Sequence, residues 1–103
     1  FVEASAQWVP WVVKEAMRRS GTKGFPKLPF KEFNIYVTTE TNDDFDFILR
    51  YAGEDNLVIG TDYGHTDASS EVDALDIFRA NDSVPDPIKK KILDDNPRSL
   101  YGL

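Results

Sequence analysis

The stretch NLVIGTDYGHTD, Asn56 to Asp67, carries an apolar run directly into side chains that can bind a metal or move a proton. Asp62 follows the run, and a carboxylate there can ligate a metal or accept a proton from a metal-bound water. His65 lies three residues further on and can reach the same place from the loop. Glu40 ends the preceding apolar run and Glu3 the one before it. Acidic groups are therefore predicted at three neighbouring strand ends.

Each of these residues also has a simpler interpretation. Asp is common where strands give way to loops, so Asp62 alone is consistent with a turn cap. His65, the single histidine of the chain, is consistent with a surface or packing role. Glu3 and Glu40 fit ordinary strand-end carboxylates that pair with cations. The residue types alone leave these alternatives open.

The elements that must position these groups alternate between strand and helix. Helical spacing of apolar residues runs from Trp8 to Met17, and β-branched and aromatic content marks Asn34–Glu40 as a strand. The segment 41–53 predicts a helix capped by Asn42 or Asp43, with Gly53 at its end. The other predicted elements are a strand end at 1–5, an ordered loop at 20–33, a strand at 56–60, a helix at 69–81 with its N-cap at Ser69 or Ser70, a helix at 85–96 and a helical turn at 97–103.

Strands that alternate with helices predict an α/β fold with parallel strands, so Asn34–Glu40 and Asn56–Thr61 should pair in parallel. In such folds, chemistry gathers at the carboxyl ends of the strands. Three parallel strands would leave both sheet edges bare, and bare edges invite pairing with other chains. The chain also opens without an initiator Met. We therefore expect residues 1–103 to be part of a larger domain, covered by further segments or by another copy.

Composition excludes several classes of protein. The 103 residues carry a net charge of −6, with a pI near 4.6, which argues against a nucleic-acid-binding surface. No apolar run reaches the length of a membrane span, and no leader pattern is visible at the start. The absence of cysteine excludes disulfides and thiolate metal sites and fits a cytoplasmic location.

Two motifs near the end of the chain resemble the C-terminal end of the amidohydrolase-related metal-dependent hydrolases, the branch that includes aminocarboxymuconate-semialdehyde decarboxylase. The family pattern E-D-N-hydrophobic-G-S/T-D-Y-P-H is similar to residues 54–65, and K-I-L-x-x-N-A-x-x-L-Y-G-L is similar to residues 91–103. The front segment QWVPWVVKEAMRR is also similar to a helix of one branch. The chain departs from the pattern at three positions: Gly64, Ala6 and Pro97.

This resemblance implies a (β/α)₈ TIM barrel of roughly 300 residues, of which this chain would be the C-terminal segment, about strands six to eight with their helices. It implies that Asp62 is a metal ligand and proton-transfer group and that Glu40 and His65 border the substrate. The implied cofactor is a divalent metal, zinc by this resemblance, and the implied reaction is hydrolysis or non-oxidative decarboxylation of a small organic substrate. The family's other ligands, a His-x-His pair and a further histidine, are absent from these residues.

Two further expectations follow. The 103 residues alone should be inactive, because one carboxylate cannot hold a catalytic zinc ion. Leu100 and Tyr101 should be structural and lie on the outside of the barrel or at its closing seam, away from Asp62. The alternative to the enzyme is a small acidic module without catalytic activity that binds a protein partner through exposed strand edges.

Overall fold

The computed structural model describes residues 1–2, 4–21, 25–68 and 70–103. The predicted strand end at Glu3 and the predicted cap at Ser69 lie outside the described residues. The elements in chain order are α1 (Val9–Ser20), α2 (Pro29–Glu32), β1 (Val37–Thr39), α3 (Phe45–Ala52), β2 (Leu57–Ile59), α4 (Ala74–Ala80), α5 (Asp86–Lys90), a π-helical segment (Lys91–Asp95) and α6 (Asn96–Tyr101). Within the described ranges, every helix is too short or too polar to traverse a lipid bilayer.

The two strands form a parallel pair, as predicted from the helix-sized connection between them. Their register is Val37 opposite Leu57, Thr38 opposite Val58 and Thr39 opposite Ile59. On the other side of β1, the amino group of Phe1 donates to the carbonyl of Tyr36 at 2.7 Å, and the N–H of Thr38 donates to the carbonyl of Phe1 at 2.9 Å. These two bonds have the pattern of one parallel rung. Phe1 therefore covers the outer side of β1.

The outer side of β2 is contacted at two points by groups that are not strands. The carbonyl of Leu57 accepts from the side chain of Asn96 at 2.7 Å, and the carbonyl of Thr61 accepts from the N–H of Glu71 at 2.9 Å. In a parallel ladder alternate residues face the same side, so the backbone of Ile59 also points outward between these points. Over the described residues each strand has one strand neighbour, and these two contacts occupy carbonyls beside β2 without closing its outer side. That these sheet edges pair with further segments or with another copy stays a prediction.

The core lies between one face of the sheet and the helices. Phe45 and Phe78 meet at its centre, with ring centroids 5.0 Å apart. The predicted inward stripe of α3 is buried except for Leu49, which is half-buried. The buried core side chains are Ala6, Val9, Val13, Phe30, Val37, Phe45, Ile48, Ala52, Leu57, Phe78, Val84 and Ile92.

Helix boundaries depart from the sequence prediction in two places. The cap of α3 is Asp44, whose side chain accepts from the N–H of Phe47 at 3.1 Å, and not Asn42 or Asp43. Helix α4 begins only at Ala74, although the sequence predicted a helix from residue 69, so Val72 precedes the helix and is 61% exposed. For α3 the reason is tertiary, because Asp43 is held by Ser5 and Ala6 and Asp44 is left to cap the helix.

The C-terminal segment continues as one helical rod through Asn96 and Pro97, where the sequence predicted an end. The N–H of Asn96 donates to the carbonyl of Lys91, five residues earlier, which closes a π-helical turn. Pro97 then lies in the first turn of α6, where its missing N–H costs little. The helix therefore passes the proline and ends at Gly102 in a left-handed conformation.

Candidate functional site

A cavity of about 300 Å³ lies at the carboxyl ends of β1 and β2. Glu40 follows β1 and Asp62 follows β2, so the parallel pairing brings both predicted carboxylates to one cavity. The described residues that line it are Val2, Ser5, Thr38, Thr39, Glu40, Val58, Ile59, Gly60, Asp62, Pro97, Leu100 and Tyr101. A mostly apolar wall with a few polar groups is the usual composition of a small-molecule site.

Asp62 and His65 are in direct contact. The Nδ1 atom of His65 lies 2.9 Å from Oδ2 of Asp62, and the His65 N–H donates to the Asp62 carbonyl at 3.3 Å. Asp62 has a φ of +49°, which is uncommon for a residue other than glycine. The strained turn and the imidazole together orient the carboxylate, and such strain is concentrated at functional sites.

Glu40 lies near three other carboxylates, those of Asp43, Asp62 and Asp67. Burial raises the pKa of its carboxyl group, and the charges of Asp43, Asp62 and Asp67 raise it further. A carboxyl group in this position holds its proton more strongly than one in water. Such a shifted group beside a cavity is a candidate for binding or proton transfer.

Asp43 is a buried carboxylate that the sequence analysis treated only as a possible helix cap. It accepts hydrogen bonds from the hydroxyl of Ser5 at 2.6 Å, the N–H of Ala6 at 3.0 Å and the N–H of Glu40 at 2.9 Å. These bonds fix the turn after β1 to the segment before α1. Asp43 thus positions the backbone that carries Glu40, and the run T-N-D-D was its only sequence signal.

The described residues do not form a metal centre. No group of three or more His, Cys, Asp or Glu side chains within them could hold a metal ion. Asp62 and His65 together offer at most two donors, and they are directed at each other. A catalytic zinc ion needs about three protein ligands, so these residues could supply only part of a set.

Leu100 and Tyr101 line the same cavity as Asp62, which corrects the expectation that they lie away from it. The physical reason is the unbroken helical rod, which carries α6 back over the sheet. The hydroxyl of Tyr36 donates to the Oγ of Ser99 at 3.0 Å and links α6 to the segment that leads into β1. Tyr101 remains 74% exposed, so its ring borders the cavity and does not fill it.

The two motifs that carry the family resemblance contact each other. Lys91 Nζ lies 2.6 Å from both Glu54 Oε1 and Asp55 Oδ1. Asn96 Nδ2 donates to the carbonyls of Glu54 at 2.8 Å and Leu57 at 2.7 Å. From sequence alone, the three consecutive lysines at 89–91 are consistent with a solvated helix face, but in the structure two carboxylates hold the ammonium of Lys91.

A solved structure has a similar arrangement of elements. The crystal structure of an amidohydrolase from Mycobacterium avium subsp. paratuberculosis K-10 matches with a TM-score of 0.62 over 91% of this chain, at 21% sequence identity. The chain has an amidohydrolase-like fold. The match covers 24% of the mycobacterial protein, so this chain spans about a quarter of that length. No protein-family model matches the chain, and no curated protein matches it significantly. At this identity, the likeness concerns the amidohydrolase-like fold alone.

Proposed function

We propose that these residues form the C-terminal part of a (β/α)₈ barrel enzyme of the amidohydrolase type, a metal-dependent hydrolase or non-oxidative decarboxylase of a small organic substrate. One observation carries the proposal: Glu40 and Asp62 follow two adjacent parallel strands and line one cavity. Placement of functional groups at the carboxyl ends of strands is the rule for enzymes of this architecture. The amidohydrolase-like fold supports the same placement.

Asp62 is the central group of the proposed site. In the complete enzyme it serves as one ligand of a divalent metal, by family resemblance zinc, and as the acceptor of a proton. The metal, when bound, supplies polarisation of a substrate carbonyl or carboxylate. His65 holds the Asp62 carboxylate in one orientation through its Nδ1 atom, and His65 and Glu40 border the substrate.

The chain's own charge and surface agree with a small-molecule substrate. The net charge of −6 disfavours nucleic acid and acidic membrane surfaces. Large apolar side chains beside the cavity, Val2 and Tyr101 among them, are exposed in this chain. We propose that the rest of the barrel, or another copy of the chain, buries these side chains.

The alternative, a module that binds partners through strand edges, has less support. Phe1 covers the outer side of β1, and Asn96 and Glu71 occupy carbonyls on the outer side of β2. The closing strand of a barrel would have to pair with this same side of β2, so these contacts do not separate the two functions; the cavity shared by Glu40 and Asp62 favours the enzyme. We retain the enzyme as the proposed function.

The test compares the 103-residue chain with the full polypeptide that contains it. We expect an intact mass near three times 11.7 kDa for the full polypeptide, metal bound to it, and metal-dependent turnover of ester, lactone, amide or carboxylate substrates. The isolated 103 residues should bind zinc weakly and turn over none of these substrates. Metal-dependent turnover by the isolated chain, or a metal-free full polypeptide with undiminished activity, would overturn the proposal.

A further inference from the structure

The π-helical turn in the C-terminal rod brings two polar side chains to one point of the sheet. In an α-helix, residues five apart point in clearly different directions, since each turn takes 3.6 residues. The backbone bond from Asn96 N–H to the Lys91 carbonyl widens this turn. Both side chains then contact the segment that leads into β2. We call the residues Lys91–Asn96 the π latch.

Asn96 takes the place of a neighbouring strand at the start of β2. Its side chain is buried, and both hydrogen bonds of its Nδ2 atom go to backbone carbonyls, those of Glu54 and Leu57. The Leu57 carbonyl faces away from β1 and would otherwise need a partner from another strand. Asn96 therefore fixes the position of Leu57, the first residue of β2, along the strand direction.

Lys91 holds the two residues that precede this entry. Its ammonium bridges Glu54 and Asp55, and the other oxygen of Asp55 lies 2.6 Å from Lys31 Nζ. The two lysines lower the pKa of Asp55, and the two carboxylates raise the pKa of Lys91. The bridge therefore persists at all pH values near neutrality. Because Lys91 is one third exposed, its bridge adds less than the buried bonds of Asn96.

We propose that the π latch is a positioning device, which sets the entry of β2 and thereby the location of Asp62 beyond its exit. Strand β2 has only three residues, so we expect a displacement of Leu57 to displace Ile59 and the turn beyond it by a similar amount. At the far end, the Thr61 carbonyl is held by Glu71, which leaves the turn at Asp62 little freedom to compensate. The latch itself rests on contacts alone. Only the consequence for catalysis rests on the proposed function.

Hydrogen–deuterium exchange of the purified protein, read on peptides covering 56–62, tests the latch. Asn96→Asp keeps the size of the side chain and removes the Nδ2 donors. We expect exchange in 56–62 to accelerate about tenfold, as for the loss of a buried hydrogen bond, with exchange across α3 unchanged. Lys91→Met should give a smaller acceleration, and Lys91→Arg should restore it. The matched control is Lys27→Met, since Lys27 is an exposed lysine in the loop before α2, outside both β2 and the π latch.

The outcomes separate this inference from the proposed function. Unchanged exchange at 56–62 in Asn96→Asp, or an equal rise in every peptide, would refute a positioning role. In an active enzyme, the same variant should lower kcat with little change in KM, because the substrate contacts remain. If exchange changes as expected and the protein has no hydrolase or decarboxylase activity, the latch stands and the proposed function falls. If Asp62→Asn abolishes turnover and Asn96→Asp leaves exchange unchanged, the proposed function stands and the positioning role of the π latch is refuted.

Discussion

Nδ1 of His65 lies 2.9 Å from Oδ2 of Asp62, three residues apart on a turn in which Asp62 has a φ of +49°. The orientation of this carboxylate is therefore set locally, by its own loop. The parallel pairing of β1 and β2 then brings Glu40 to the same cavity. Local turn geometry and strand pairing together produce the arrangement on which the predictions below depend.

Asp62→Asn should nearly abolish turnover of the complete enzyme and leave the fold intact. The amide keeps the shape of the side chain but removes the charge and the proton acceptor, and such losses lower rates by about 10²–10⁴-fold. Steady-state kinetics with metal analysis would measure the effect. Asp76→Asn is the matched control, since Asp76 is an exposed carboxylate on α4 paired with Arg79. Wild-type activity and metal content in Asp62→Asn would contradict the assignment.

Asp43→Ala should destabilise the protein more than Asp44→Ala. The first change leaves the buried N–H of Ala6 without its acceptor, at about 1–3 kcal/mol, and also removes the acceptor of the partly buried N–H of Glu40. The second removes an exposed helix cap, which costs about 0.5–2 kcal/mol. Urea denaturation followed by far-ultraviolet circular dichroism would rank the two variants. Equal midpoints would show that Asp43 does not hold the turn after β1.

Glu40→Gln should remove a pH dependence of stability. The pKa of Glu40 is raised above its ordinary value of 4.5, first by burial and then by Asp43, Asp62 and Asp67. The folded state therefore binds the proton more tightly than the unfolded state. Its stabilising contribution is fully present below pH 4.5 and is lost as the pH rises through the raised pKa.

Melting temperatures of wild type and Glu40→Gln from pH 4 upward would measure this difference. The glutamine variant should gain stability over wild type toward neutral pH. A constant difference across the range would show that Glu40 titrates alike in both states.

Leu57→Ala should cost about 2–5 kcal/mol of unfolding free energy, because its side chain is fully buried against the helices. Ile59→Ala, in the same strand, should cost less, since Ile59 is only half-buried. Paired denaturation curves would test the order. A larger loss for Ile59 would indicate that further segments cover that side of β2.

Truncation after Asn96 should weaken substrate binding as well as lower the melting temperature. It removes Leu100 and Tyr101 from the cavity and the bond between Ser99 and Tyr36. We expect KM to rise in the active enzyme. Tyr101→Ala separates the effects, because the ring is largely exposed and its loss should cost little stability. An unchanged KM in both variants would show that Leu100 and Tyr101 have a structural role only.

The sequence allowed the local elements and the parallel pairing to be predicted. Apolar spacing identified α1 and the buried stripe of α3, and the apolar runs identified both strands. Asp62 and Glu40 were predictable as neighbours, since parallel strands place their carboxyl ends together. These are consequences of short-range periodicity and of one topological rule.

Contacts between distant segments were not predictable in the same way. The run T-N-D-D suggested Asn42 or Asp43 as the cap of α3. In the structure Asp43 binds Ser5 and Ala6, and Asp44 caps the helix, which the local sequence does not specify. Asn96 and Pro97 read as a helix end, because sequence rules assume α-helical hydrogen bonding. The π turn arises from the contacts of Lys91 and Asn96 with the entry of β2, which no local pattern encodes.

The partly occupied outer sides of the sheet bear on how the protein behaves at high concentration. Fibril growth and strand exchange need a template of several consecutive free backbone groups. Phe1, Asn96 and Glu71 interrupt such a template over the described residues. Strand pairing with another copy should therefore be confined on the β2 side to the outward backbone around Ile59, and the exposed apolar side chains offer a larger surface for self-association.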